Sequence, residues 1–128
     1  MANPNIVSVA TIAGGSVGAH LTTSEVAYLT VTAEYIVKVN SILVANIHGS
    51  IGANCDIRIV KANATPLGIT NYDISGTFYI AKAVEVPNFD VLVALENPIY
   101  LMETDALQAS ASTASILDMY ISYDVIID

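Results

Sequence analysis

The chain has 128 residues, 54% of them apolar and only 12% charged, with 4 Lys+Arg against 12 Asp+Glu for a net charge of −8. That length fits one domain. The acidic balance argues against a nucleic-acid binder, which needs cations against phosphate, and excludes a polybasic membrane anchor.

Val, Ile and Thr number 14, 16 and 10. Side chains branched at Cβ are stiff at χ1 and pack well on a pleated surface, so the composition favours strands. Residues 1–24 carry no charge before Glu25 and are rich in Gly, Ser, Thr and Ala. They are expected to form an N-terminal arm with at most one strand, ahead of a β-sandwich domain over 25–128. The stretch lacks the basic start of a signal peptide and is too polar for a membrane-spanning helix, which implies a chain that is not exported.

From Glu25 onward, alternation with period 2 dominates. Short strands are expected at Ala27–Thr32 and over the long run from Tyr35 to Ile47. In that run Val37, Val39, Ser41, Leu43 and Ala45 alternate with Ile36, Lys38, Asn40, Ile42 and Val44. Cys55, Ile57 and Ile59 alternate with Asp56, Arg58 and Val60. The stretch from Asn63 to Ser75 reads as the longest surface loop. A strand from Thr77 to Ala83 puts Phe78 and Ile80 on one face and Tyr79 and Ala81 on the other. Further strands are expected at Asp90–Leu95, Pro98–Met102 and Ala106–Ser110. The last one sets Met119, Ile121, Tyr123 and Val125 against Tyr120, Ser122 and Asp124, with Tyr120 and Tyr123 on opposite faces.

Turn signals at His48-Gly-Ser-Ile-Gly52, Thr65-Pro-Leu-Gly68, Ser75-Gly76, Pro87-Asn88 and Asn97-Pro98 separate these runs. No window carries a sustained period of 3.6 residues. The expectation is an all-β, antiparallel, jelly-roll-like sandwich of about eight strands.

Chemistry is sparse. Gly14-Gly-Ser-Val-Gly18 matches G-x-S-x-G, but a nucleophile elbow needs a strand before it and a helix after it, and no helical pattern follows Gly18. Ser16 is therefore read as part of a flexible turn. His20 and His48 are the only histidines. Neither has both a nucleophile and an orienting carboxylate nearby in sequence, and His48 reads as a turn residue.

Three His/Cys residues, unclustered, fall short of a zinc site. Glu103 and Asp105 are the closest pair of loop carboxylates, without the D-x-D-x-D pattern of a calcium loop. No catalytic, cofactor or metal residue is assigned, and the chain is expected not to be an enzyme. The single cysteine, Cys55, has no internal disulfide partner and is expected to behave as a small buried apolar residue. Asn63-Ala64-Thr65 is a glycosylation sequon that matters only on export.

The order of segments is more telling than any one of them. The run Tyr35–Ile47 ends in Ala45-Asn-Ile47 and is followed by the alternating strand Cys55–Lys61. Then come Tyr79-Ile-Ala-Lys82, Val86-Pro87, Pro98-Ile-Tyr-Leu-Met-Glu-Thr-Asp105, Leu107-Gln-Ala-Ser-Ala111 and Ile121-Ser-Tyr-Asp124. Over roughly residues 5–128 this resembles a family of small virion structural proteins of tailed phages that infect marine bacteria. The chain departs from that family's pattern at Pro87-Asn-Phe-Asp90 and Met102-Glu-Thr-Asp105, where the usual glycine of each turn is missing.

The resemblance implies a β-sandwich subunit repeated on a virion that is assembled in the host cytoplasm. Its leading role is a capsid decoration (cement) protein, a homotrimer bound to the phage major capsid protein or other virion proteins. A neck, tail, baseplate or fibre component is the alternative within that class. Composition agrees with assembly: a mean hydropathy of +0.60 with so little charge leaves apolar surface for other subunits to cover. A carbohydrate-binding module for host attachment is a different class, for which Asn71, Tyr72 and Asp73 in the 63–75 loop would be the binding residues.

Overall fold

A computed structural model describes residues 11–61 and 75–127. Among these, nine strands form and no helix. They are β1 (Thr11–His20), β2 (Val26–Thr30), β3 (Tyr35–Asn46), β4 (Ala53–Lys61), β5 (Gly76–Val86), β6 (Val91–Leu95), β7 (Ile99–Leu101), β8 (Ala106–Ala111) and β9 (Leu117–Ile127). One sheet runs β1-β9-β3-β6, with β7 also on β3, and the other runs β2-β8-β4-β5.

Every pairing is antiparallel, and the pairs nest: β1 with β9, β2 with β8, β3 with β6 and β7, β4 with β5. The chain is thus one long antiparallel ribbon whose two limbs meet between β4 and β5. Rolling that ribbon up brings β9 against β3 and β8 against β4, which makes a five-stranded and a four-stranded layer. This is the jelly-roll form of the β-sandwich.

The core lies between the sheets. Val39, Ile42 and Val44 of β3, Leu117, Met119 and Ile121 of β9, Ile57 of β4 and Leu107 of β8 are all buried there. Cys55 is buried with them, as expected of it.

Strict alternation holds in β9 but fails in β3. Val39 pairs with Tyr123 and Ser41 with Ser122, so Asn40 is an extra residue, a β-bulge. The bulge reverses the parity. Val37 and Val39 before it, and Ile42 and Val44 after it, all face the core, whereas unbroken period 2 would put the two pairs on opposite faces. A second bulge, at Ile80, changes the register of β5 against β4, so Phe78 and Ala81 oppose the inward-facing Ile59 and Ile57.

Residues 11–20 hold the one strand expected of the N-terminal stretch. They form the ten-residue strand β1 on the chain's own β9. Glycine makes the fit possible: a Cβ at Gly15 would lie 2.7 Å from the ring of Tyr123, which packs against the core. The remainder of the arm, the 63–74 part of the expected loop, its sequon and Asn71, Tyr72 and Asp73 lie outside the described residues.

Three four-residue turns share one geometry. Tyr35 N–H donates to Thr32 O, Asp90 N–H to Pro87 O and Asp105 N–H to Met102 O. The third residue of each has positive φ: Glu34 at 73°, Phe89 at 57° and Thr104 at 69°. A type II turn requires that conformation, which glycine supplies without strain. The last two are the turns at which the family that the sequence resembles has glycine; here a phenylalanine and a threonine carry the left-handed backbone.

Asn46, buried at the end of β3, ties two turns together. Its amide donates to Ile51 O and Val86 O, and its Oδ1 accepts from His48 N–H. Its own N–H donates to Asp90 O. Elsewhere Lys61 reaches the buried Asp105 at 3.1 Å, and that carboxylate also accepts from Met102 N–H.

Leu107 is 0% exposed and sits in the central part of the second sheet. Leu107→Ala is expected to lower unfolding stability by about 2–5 kcal/mol, from lost transfer energy and the cavity left behind. Chemical denaturation of the two proteins checks it.

Candidate functional site

The G-x-S-x-G stretch lies wholly inside β1, in a straight ladder with β9. Ser16 is exposed on the outer face and its Oγ accepts a hydrogen bond from Tyr120 Oη at 2.8 Å. The glycines explain that contact better than a strained elbow does. Gly18 lies across from Tyr120, and a Cβ there would touch the ring at 3.4 Å. The small residue lets the tyrosine lie flat along β1 towards Ser16.

The same register gives His20 a partner that its neighbours in sequence do not supply. His20 pairs with Asp118, and Nδ1 sits 2.6 Å from Asp118 Oδ1. Ser16 and His20 are four residues apart on one strand, about 13 Å at the rise of a β-strand, so the pair does not reach the serine hydroxyl.

His48 is a turn residue, as its sequence position implies. Its Nδ1 accepts from the N–H groups of Ser50 and Ile51, each at 3.1 Å. Glu103 and Asp105 do not converge: Glu103 caps Glu34 N–H at 2.7 Å, while Asp105 is buried with Lys61. Among the described residues no group of three or more His, Cys, Asp and Glu side chains is placed to hold a metal ion.

What the tertiary structure does assemble is a surface. On the outer face of the first sheet, Leu43 of β3 lies between Val93 of β6 and Tyr120 of β9, and Ala45 lies beside Val91. Tyr120, Val91 and Val93 are each more than half exposed, and Leu43 is 39% exposed. Leu92 and Ala94, the alternate residues of β6, turn inward to the core, so the exposure follows from the pleat.

A shallow groove of about 520 Å³ runs through this row, lined by Gly18, Leu43, Ala45, Val91 and Tyr120 and bordered by His20 and Asp118. Two residues before Val91, Phe89 stands 72% exposed on its left-handed backbone. Its ring packs against Gly49, and Asn88 donates to Gly49 O. Ile47 and Ile51 of the same end are also exposed.

The second sheet presents a different face. Arg58 is ion-paired with Glu25 and donates to Gln108 Oε1 at 2.8 Å. On the edge strand β5, Lys82 Nζ lies 4.4 Å from the centroid of the exposed Tyr79 ring and donates to its hydroxyl at 3.3 Å. Hydrogen bonding from Arg58, and then from Lys82, holds the Tyr79 phenol below its ordinary range. Beside them is a polar cleft of about 700 Å³ lined by the hydroxyls of Thr23, Ser24, Ser110 and Ser112 with the carboxylates of Glu25 and Asp56.

Fold and surface together define a jelly-roll domain with an apolar row exposed on the outer face of its first sheet among the described residues. No protein-family model and no curated protein matches the sequence. Among solved structures, the chain is similar to a chain of the Bacillus endospore appendages, described as a family of disulfide-linked pili. That match has 8% identity and a TM-score of 0.45, and covers 91% of this chain and 86% of that one.

The chain is also similar to VP2 of the infectious bursal disease virus subviral particle, at 12% identity and a TM-score of 0.40, covering 94% of this chain and 34% of that one. A chain of the Gt strain of the same virus matches at 8% identity and a TM-score of 0.32, with 91% and 33% covered. This chain therefore spans about a third of the length of the two viral chains.

Cys55 makes a measurable mark on stability. Burial, and to a lesser degree the neighbouring Asp56 carboxylate, push its thiol up from 9.0 to about 11. Between those two values the unfolded chain releases a proton that the native chain keeps, so stability falls as pH rises through that window and is unaffected below it. The expected loss across the window is about 2 kcal/mol. Cys55→Ala should flatten that part of the profile, read as the difference between the two proteins in denaturant melts at pH 8, 9, 10 and 11.

Proposed function

We propose that this protein is a structural subunit of a phage virion, repeated in many copies, and that its role is capsid decoration. The observation that carries this reading is the uncovered apolar row Val91, Val93, Leu43 and Tyr120 on the outer face of the first sheet. A flat ladder of strands holds the row rigidly, and its apolar side chains gain when a neighbour removes them from water. Phe89 supports the same reading. A bulky residue held at positive φ costs about 1–3 kcal/mol, and such strain tends to persist at binding surfaces. A large exposed aromatic is also the usual centre of a protein contact.

A cement protein works through many weak, identical contacts on a lattice, where linked binding raises affinity without chemistry at any one site. That suits a surface on which Ser16, His20 and His48 are engaged in a ladder and a turn. A net charge of −8 would keep decorated particles apart, an effect that salt screens. A neck or tail position uses the same surface on a different lattice. The hydroxyl-lined cleft beside Glu25 and Asp56 favours a second reading, a carbohydrate-binding attachment module.

Purified protein is expected to add back to stripped, expanded phage capsids in stoichiometric numbers and to raise their melting temperature in calorimetry. Leu43→Asp should abolish the addition. Absence of capsid binding together with antibody labelling at the neck or tail would move the protein there. Glycan binding lost on substitution of Asp56 would favour the attachment module.

A further inference from the structure

The apolar row leaves open which surface covers it, and the distribution of charge points to an answer. The row is bordered by carboxylates: Asp118 at the end of the groove, where it also holds the exposed His20, and Asp90 next to Val91. Two copies meeting through the same face would bring these acids together, and like charges in an interface cost several kcal/mol. The complement must be cationic, and the chain has only 4 Lys+Arg.

Three of those four are engaged or misplaced. Lys61 is bound to Asp105 and Arg58 to Glu25. Lys38 lies on the same sheet as the row, across from Asp124 in the β3–β9 ladder. That leaves Lys82, which is exposed on edge strand β5 of the opposite sheet and makes no ion pair with a carboxylate among the described residues. It stands over Tyr79, whose ring is exposed. An ammonium carried on an aromatic surface matches an apolar groove bordered by carboxylates.

We propose that copies of this chain associate head to tail: the Tyr79–Lys82 face of one copy docks on the Leu43–Tyr120 groove of the next, with Lys82 directed to the Asp118 end. The proposal rests on the reading of the protein as a repeated subunit, and names the second copy as the occupant of the groove. A contact between two different faces of the same chain is heterologous. It closes into a ring where the rotation allows and otherwise extends. A trimer would be one such ring, with each subunit contributing one groove and one aromatic–lysine face.

Complementation of two defective variants tests this. Leu43→Asp removes the groove and leaves the Lys82 face, while Lys82→Glu does the reverse. Both positions are on the surface, and circular dichroism establishes that each variant is folded. If either variant were not, Tyr120→Asp or Tyr79→Asp would replace it. By light scattering, wild type is expected to be oligomeric and each variant alone monomeric. An equimolar mixture should double in mass, because one intact groove meets one intact opposite face and the chain then stops.

The proposal is overturned if Lys82→Glu alone keeps the wild-type mass, since the contact would then not use that face. It is overturned equally if the mixture stays monomeric, or if wild type is a monomer. A monomeric wild type that still adds to capsids would leave the virion reading standing and put another virion protein in the groove. A head-to-tail oligomer that does not add to capsids would do the opposite.

Discussion

The structure hangs on the pairing of β3 with β9. Residues from Tyr35 to Asn46 run against Ile127 to Leu117 along nearly their whole length, joining segments about eighty positions apart. Among the described residues β9 is also the only partner of β1, while β3 carries β6 and β7. Remove that ladder and the first sheet loses its centre, and with it the wall that Val39, Ile42, Met119 and Ile121 present to the opposite sheet. Such pairing must overcome a large loop-closure cost before any contact rewards it, the usual condition of sandwiches and the reason they fold slowly.

With so few charges, the chain uses those inside the fold as pins. Lys61 on β4 meets Asp105 in the turn between β7 and β8, and the same carboxylate orders that turn by accepting from Met102 N–H. Asn46 does the same at the other end without charge, holding the turns around His48 and Asp90 against each other. A buried polar side chain is tolerated only when its hydrogen bonds are made, and each of these makes them to backbone groups that would otherwise need water. The exposed Phe89 depends on this arrangement. Its turn is tied from below, where Asn46 N–H donates to Asp90 O.

The outer faces of the two sheets have become chemically unlike. One offers small and apolar residues along β1, β9, β3 and β6, with carboxylates beside them. The other offers hydroxyls, aromatic rings and the cations Arg58 and Lys82. The edge strand β1 belongs to the same picture. It carries no Lys, Arg, Asp, Glu or proline over ten residues, so its own sequence holds none of the charges or prolines that usually blunt an exposed sheet edge.

Much of this was legible in the sequence. Branched residues, period-2 runs and the glycine, proline and asparagine breaks between them determined an all-β sandwich and placed the strands from β2 to β9 within a few residues. They also separated the half-buried Tyr123 from the exposed Tyr120, because both belong to one unbroken alternation. What the sequence could not determine depends on residues far apart along the chain. The bulges at Asn40 and Ile80 reverse the facing of the residues after them, and a bulge shows only as a mismatch against a partner strand.

The strand β1 is hidden because its glycines read as a flexible turn until Tyr123 and Tyr120 are set beside them. His20 has no acid near it in sequence and acquires Asp118 only through a register of nearly one hundred residues. The apolar row is decided in the same way. Leu43, Val93 and Tyr120 are three ordinary strand residues, and only the stacking of their strands at one register makes them a surface.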